Sequence, residues 1–324
     1  MRSTDAAVAV AERVFPAMAS TVTMRLLDPD DHAEDALQQA ESLIQTIART
    51  CTRFNPDSDV MRANAAGRRW AQVDPVCLDV IARAYDAYSF SGGRFDPRTL
   101  DSLVALGYDR TWEEVASGVV ASSDVASAVH RRAGRVKTWR PRIDVEHSRV
   151  RVGSRPIDLG GIGKGVAVQR ALEVMRGHGS GGLVEAGGDL AVFGPGPQGP
   201  RWRVSVDDPF GGADPVAVLD VTDTAVATSS IQRRQWNVDG ERVHHLIDPR
   251  TGQPAESGLH AVSVVHPDAA IAEVWTKIGF LAGRHRIRRV LEEAALPAVW
   301  VDDEGRVRYS RAAAPLLIWK VSRV

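Results

Sequence analysis

The stretch Ile157–Gly165, IDLGGIGKG, sets a carboxylate, four glycines and a lysine within nine residues at a helix entrance. Glycines at that position expose backbone N–H groups to an anion, and Lys164 adds a full positive charge, so the chemistry on offer is phosphate or pyrophosphate binding. Familiar phosphate motifs do not fit. A P-loop needs Gly five residues before Gly163 and Ser or Thr after Lys164, where this chain has Asp158 and Gly165. A Rossmann turn needs G-x-G-x-x-G, and after Gly161 and Gly163 the third glycine falls one residue early. A glycine turn that merely packs closely under a helix is the alternative reading of this segment.

Several elements must position the stretch. Pro156 breaks the preceding segment, and Val166, Ala167, Val168, Ala171, Leu172 and Met175 give the following residues a helical period. Upstream, RIDVEHSRVRV over Arg142–Val152 alternates as a hairpin that delivers the chain to Asp158. Downstream, LVEAGGDLAVFG reads as a buried strand interrupted by Gly187 and Gly188, the mark of a bulge or of close approach by a ligand. Ser20–Leu27 is β-branched and alternating, and a helix follows from about Ala33, with Leu37, Ala40, Ile44 and Ile47 on one side. A further helix runs from about Pro75 to Ser91 and stops at Gly92–Gly93. The chain closes with a strand at Ala261–Val265, a helix from about Asp268 to Gly283, a second helix and a strand pair. Hairpins mixed with helices, without regular βαβ alternation, predict an α+β fold.

At 324 residues with 44% hydrophobic and 25% charged side chains, the chain can bury a large core. A formal net charge of -1 gives no basic face for nucleic acid. No apolar run approaches the length of a membrane span, and MRSTDAAVAVAERVF, with Glu12 inside it, is unlike a signal peptide. A cytoplasmic protein without membrane insertion is the expectation. Cys51 and Cys77 lack metal-ligand spacing and are expected as buried thiols.

The segments FPAMAS, FDPRT, DLGGIGKG, EAGGD, ATSS and HHLIDPRTG, in that order, resemble the FAD:protein FMN transferase family, ApbE. The resemblance implies one ApbE-like domain over 1–324, with two interlocked lobes, a core of about 14–311 and a central flavin cleft. It implies FAD as substrate, Mg²⁺ at the pyrophosphate, and transfer of FMN to a Ser or Thr hydroxyl of an acceptor protein with release of AMP. By that likeness Asp158 and Lys164 contact FAD and Gly161 offers a carbonyl to the metal. Met18, Phe54, Arg94, Phe95 and Asp96 would line the flavin site. Phe54 stands where the family often has Tyr, which keeps stacking and loses a phenolic hydrogen bond. Gly188, Asp189 and Thr228, with Ser229, would hold a polar edge or phosphate, or form a satisfied turn. His245 matches the family's histidine and is the candidate base for the acceptor hydroxyl, or a flavin contact.

One segment departs from the family. The metal helix there reads A-D-A-x-A-T, with Asp and Thr four residues apart as Mg²⁺ ligands; here the run is AEVWTK, which sets Glu273 at the Asp position and Lys277 at the Thr position. Using Thr276 instead would delete a residue within a helix and rotate the rest by about 100°. A charged lysine has no lone pair and cannot ligate Mg²⁺. The pair is then either an i,i+4 salt bridge or an ammonium that takes over part of the metal's role, with Lys277 in the catalytic set beside His245 and Asp158. Two other functions stay open on these residues: an FAD pyrophosphatase yielding FMN and AMP, and a non-catalytic flavin-binding protein.

Overall fold

The computed structural model describes residues 8–117, 138–232, 234–238 and 240–321. It opens on a hairpin, β1 (Val10–Ala17) and β2 (Ser20–Leu27), in which Ala17 pairs with Ser20 and leaves Met18 and Ala19 as the turn. Both have positive φ, 51° and 53°. A two-residue hairpin turn demands that conformation, and residues with a Cβ adopt it under strain. Along β2, Val22, Met24 and Leu26 are buried while Thr21 and Arg25 face out, the period-2 pattern of a strand covered on one face.

Helix α1 (Ala33–Thr50) buries Leu37, Ala40, Ile44 and Ile47, which share one face at helical spacing. Next come α2 (Asp59–Ala66), β3 (Ala71–Gln72) and α3 (Pro75–Phe90), the last capped by the Asp74 side chain on the Val76 N–H. Helices α4 (Leu100–Ala105) and α5 (Trp112–Ser117) lead towards the hairpin β4 (Arg142–Asp144) and β5 (Arg149–Arg151), which β3 joins as a third strand. Helix α6 (Gly163–Met175) starts from the glycine turn. It is followed by β6 (Gly181–Ala186), β7 (Asp189–Phe193), β8 (Trp202–Val206), β9 (Ala217–Val221) and β10 (Thr224–Ser230). A hairpin of β11 (Gln235–Val238) and β12 (Glu241–His244) and the short pair β13 (Ile247–Asp248) and β14 (Gln253–Pro254) come next. The chain ends with β15 (Leu259–His266), α7 (Ala269–Ala282), α8 (Ile287–Glu293), β16 (Ala298–Asp302), β17 (Val307–Tyr309) and β18 (Leu317–Lys320).

The spine is an eight-stranded sheet ordered β1-β2-β6-β7-β10-β15-β16-β17, antiparallel at every step. Its two faces are covered differently. Val22, Met24, Val184 and Ala191 meet the apolar faces of α1, α3 and α6. From the same sheet Leu27, Val192, Val226 and Val265 meet Trp202, Val204 and Leu219 of a second, three-stranded sheet, β18-β9-β8. A third cluster packs Phe280 of α7 and Ile287 and Leu291 of α8 against β15 and β16. The α+β class is therefore what the chain adopts.

One local expectation changes. Gly187 and Gly188 do not bulge a single strand; they are the turn between β6 and β7, with φ of 59° and 94° and Ala186 paired to Asp189. Both φ values fall where glycine carries no steric penalty, so the pair folds the strand back on itself. A Cβ on Gly187 would also lie 2.9 Å from the Ser20 Cβ, which ties this turn to the first residue of β2.

Candidate active site

The Met18–Ala19 turn, the glycine turn before α6, the Gly187–Gly188 turn and the middle of α7 surround one cleft of about 1220 Å³. That volume exceeds an ordinary small-ligand pocket and suits a dinucleotide. Met18, Phe54, Arg94, Phe95, Asp96, Asp158, Gly161, Lys164, Gly188, Thr228, His245, Glu273 and Lys277 all line it. Asp189 lies directly behind, fully buried, with its carboxylate on the Lys164 ammonium. Residues scattered from Met18 to Lys277 thus converge on one site.

At its centre are four charges. Glu273 is 2% exposed; its Oε2 accepts from the Gly165 N–H at 2.8 Å and its Oε1 accepts from Lys277 Nζ at 3.1 Å. Lys164 Nζ lies 3.9 Å from the same Oε1 and contacts Asp189 Oδ2. Two carboxylates and two ammonium groups balance. Burial opposes the charge on Glu273, but Lys277, Lys164 and the Gly165 N–H outweigh it and hold its pKa below the usual carboxylate value. Burial likewise opposes the Lys164 charge, and Asp189 and Glu273 reverse the effect and raise its pKa. Asp189 is pushed upwards by burial, against the pull of Lys164.

The glycine turn is less open to an anion than its composition implied. Gly160 N–H donates to Asp158 Oδ1 (3.1 Å), Gly163 N–H to Leu159 O (2.8 Å) and Gly165 N–H to Glu273. Gly165 has a second reason to be glycine. A Cβ there would stand 2.6 Å from Ala269 O and 2.7 Å from Ala270 Cα, so the helices α6 and α7 touch at this point. Positive charge from side chains, more than backbone N–H groups, is what the turn presents to a phosphate.

One end of the cleft is aromatic. The guanidinium of Arg53 lies 4.2 Å from the ring centroids of both Phe54 and Tyr108 and donates to Tyr108 O at 2.5 Å. Its Nε is 3.8 Å from Asp158 Oδ2, and its Nη2 is buried with no hydrogen-bond partner among the described residues. Arg53 carries no local signal in the sequence, because its role comes from Tyr108, 55 residues away. The Phe95–Asp96 pair sits beneath, and both Asp96 oxygens are held by Arg98, at 2.9 Å from Nε and 2.7 Å from Nη2. Asp96 shapes the floor with its carboxylate already paired.

His244 and His245 diverge as successive residues at a strand end should. The His244 ring stands 6.0 Å from that of Phe280, edge to face, and His244 does not line the cleft. His245 faces the cleft with Nδ1 3.3 Å from Arg234 O. A carbonyl can only accept, so Nδ1 carries the proton and Nε2 keeps its lone pair. Burial, aided by Arg234, drives the His245 pKa well below 6.5, so the ring is neutral at pH 7.

The residues do not fit Mg²⁺, which needs oxygen ligands in a near-octahedral shell. Both oxygens of Glu273 have donors, and its nearest cationic neighbours are ammonium groups. Thr276 is fully buried, and its hydroxyl is already engaged, donating to Glu273 O (2.7 Å) and meeting Ser229 Oγ (2.6 Å). Among the described residues, no three His, Cys, Asp or Glu side chains converge as a metal cage. Thr228 binds Ser263 Oγ at 2.8 Å, and its backbone N–H donates to Asp189 Oδ1 at 3.3 Å. No helix among the described residues is long and apolar enough to cross a membrane.

This geometry has relatives. A FAD:protein FMN transferase of Treponema pallidum is 29% identical over 301 residues, covering 87% of this chain and 81% of that protein. One from Chlamydia pneumoniae is 30% identical over 248 residues, 73% of each chain. The crystal structure of the ApbE protein of Thermotoga maritima superposes with a TM-score of 0.83 at 25% identity, over 95% of this chain and 99% of that one. The apo flavinyl transferase ApbE of Pseudomonas stutzeri, at 21% identity and a TM-score of 0.77, shares the fold. The sequence pattern of the ApbE family matches residues 18–300, and the chain belongs to that family.

Proposed function

We propose that this chain is an FAD:protein FMN transferase, which moves FMN from FAD to a Ser or Thr hydroxyl of an acceptor protein and releases AMP. The observation that carries the reading is the convergence of Asp158, Lys164 and a neutral His245 on one dinucleotide-sized cleft, in a chain whose curated relatives carry that activity.

In the reaction the acceptor oxygen attacks the phosphorus of the FMN half. A phosphoester bond to the acceptor forms, the P–O bond to the AMP phosphate breaks, and AMP leaves with the bonding electrons. His245 takes the acceptor's proton on Nε2; a neutral imidazole with its other nitrogen held by a carbonyl is suited to that task. Lys164 faces the pyrophosphate and offsets its charge, while Asp189 holds the ammonium in place from behind. Asp158, fixed by the Gly160 N–H and near Arg53, orients the flavin half beside Phe95 and Phe54. On this reading FAD is the small molecule consumed, and no step is assigned to Mg²⁺.

The test is incubation of the purified protein with FAD and a lysate of its source organism, with AMP release and protein-bound flavin fluorescence followed together. AMP with a fluorescent protein band that survives denaturation is the expected result. AMP and free FMN without a labelled band would identify a pyrophosphatase, and FAD binding without AMP a flavin-binding protein.

A further inference from the structure

We infer that Lys277 occupies the place of a divalent cation, and that this chain engages the FAD pyrophosphate through ammonium groups without Mg²⁺. The inference rests on the FAD reading above and extends it to how the phosphate charge is met.

Three observations on separate atoms carry it. First, a Cβ on Gly161 would stand 3.3 Å from Lys277 Cε and 3.2 Å from the Phe95 ring, so the lysine stem packs over the glycine turn and does not extend into solvent. Second, the Lys277 ammonium is fixed by Glu273 Oε1 at 3.1 Å, Glu273 O at 3.3 Å and Ser229 Oγ at 3.4 Å, while the residue still lines the cleft. Third, Glu273 is 2% exposed and its second oxygen is turned to the Gly165 N–H. A solvated i,i+4 pair on a helix surface would show the Glu273–Lys277 contact without the packing on the glycine turn, the Ser229 contact or the burial of Glu273.

The charges decide how far the substitution goes. Mg²⁺ would bring two positive charges to the pyrophosphate, and Lys277 brings one. Lys164 and Lys277 are each held by a buried carboxylate, Asp189 and Glu273, and Arg234, which lines the same cleft, adds a further positive charge beyond that balanced cluster. An ammonium also occupies one well-defined position, which a divalent ion would have to enter against two like charges at Glu273.

The experiment is titration of the intact protein with FAD, read by flavin fluorescence, in excess Mg²⁺ and in excess EDTA. Dissociation constants within about twofold of each other are expected, together with no protein-bound Mn²⁺ signal by electron paramagnetic resonance in the presence of FAD. A tenfold or larger loss of affinity in EDTA, restored by Mg²⁺, would overturn the inference and leave the FAD reading standing. No FAD binding in either condition would overturn both. Lys277→Met, which keeps the stem and removes the charge, is expected to weaken FAD about tenfold or more without rescue by Mg²⁺. An unchanged affinity in that variant, with an unchanged melting temperature, would also overturn it. Because the wild-type titration stands by itself, a variant that fails to fold does not remove the test.

Discussion

The Gly165 N–H donates to Glu273 Oε2 at 2.8 Å across a sequence separation of 108 residues, so a carboxylate from the middle of α7 closes the first turn of α6. That N–H is one of the donors a helix start leaves without an intrahelical partner. The carboxylate therefore satisfies a backbone group, complements the positive end of the helix and holds Lys277, all in a buried place.

Glu273→Gln should accordingly be costly. It keeps the side-chain volume and an acceptor for Gly165, yet leaves Lys277 and Lys164 with Asp189 as their one buried counter-ion. Removing one partner of a buried pair costs about 3 kcal/mol, and equilibrium denaturation should show a loss of that order. The pH dependence follows from the direction of the shift. Glu273 titrates below its ordinary value of 4.5 in the folded chain, so its contribution is complete above that pH and is lost as acid carries the protein through the lowered folded value. Lys164 titrates above 10.5, so its contribution holds at neutral pH and disappears only as alkali passes the raised value. Wild-type stability should thus fall more steeply than that of the Gln variant below about pH 4.5.

His245 gives a kinetic prediction. Its pKa lies well below 6.5, so acidification must go past that value before the base is protonated. The acid limb of kcat/KM is expected below pH 6.5, and His245→Gln should lower kcat by about 10² to 10⁴ while changing FAD affinity less than threefold. An acid limb near pH 7 or above, or full activity in the variant, would remove His245 from the role of base.

Much of this arrangement was readable from local signals. The alternation of Ser20–Leu27, the one-sided apolar residues of α1 and the helical stretch from about Asp268 to Gly283 each follow from nearest-neighbour spacing. Glu273 and Lys277, four residues apart on α7, both line the cleft, while Thr276 is fully buried with its hydroxyl on Ser229. What could not be read were effects set by distant backbone. The Gly187–Gly188 turn looks like a bulge until the pairing of Ala186 with Asp189 is known. The glycine turn looks open until Glu273 is seen upon it. Arg53 carries no motif of its own, and only folding brings Tyr108 to its guanidinium.

That guanidinium supports a third prediction. Arg53 is planar, lies 4.2 Å from the centroids of two adjacent rings and donates to Tyr108 O, a geometry a lysine cannot reproduce. Arg53→Lys should lose about 1 kcal/mol of stability, the scale of a partly desolvated cation–π contact. Because its Nε lies 3.8 Å from Asp158, the same change should weaken FAD several-fold, whereas Arg53→Met should weaken it further. Paired melting curves and FAD titrations check both. Stability loss with unaltered affinity would confine Arg53 to the fold.

Two glycines of α6 separate packing from conformation most cleanly. Gly163 and Gly165 lie two residues apart in the same first turn, and neither has a positive φ. A Cβ on Gly163 meets nothing within 4 Å, while one on Gly165 would be driven to 2.6 Å from Ala269 O and 2.7 Å from Ala270 Cα. Backbone atoms cannot swing aside as a side-chain tip can, so α6 and α7 would have to part. Gly163→Ala should therefore leave thermal stability within about 1 kcal/mol of wild type, with any change towards greater stability from helix propensity. Gly165→Ala should lose about 3 kcal/mol or more, as overpacking at a rigid contact does at its upper range, and should lose FAD binding as well because Glu273 and Lys277 move with α7. The comparison is made by urea denaturation of the two variants side by side. Equal stabilities would mean that the α6–α7 contact is looser than the distances state, and that Glu273 is not held where it can fix Lys277.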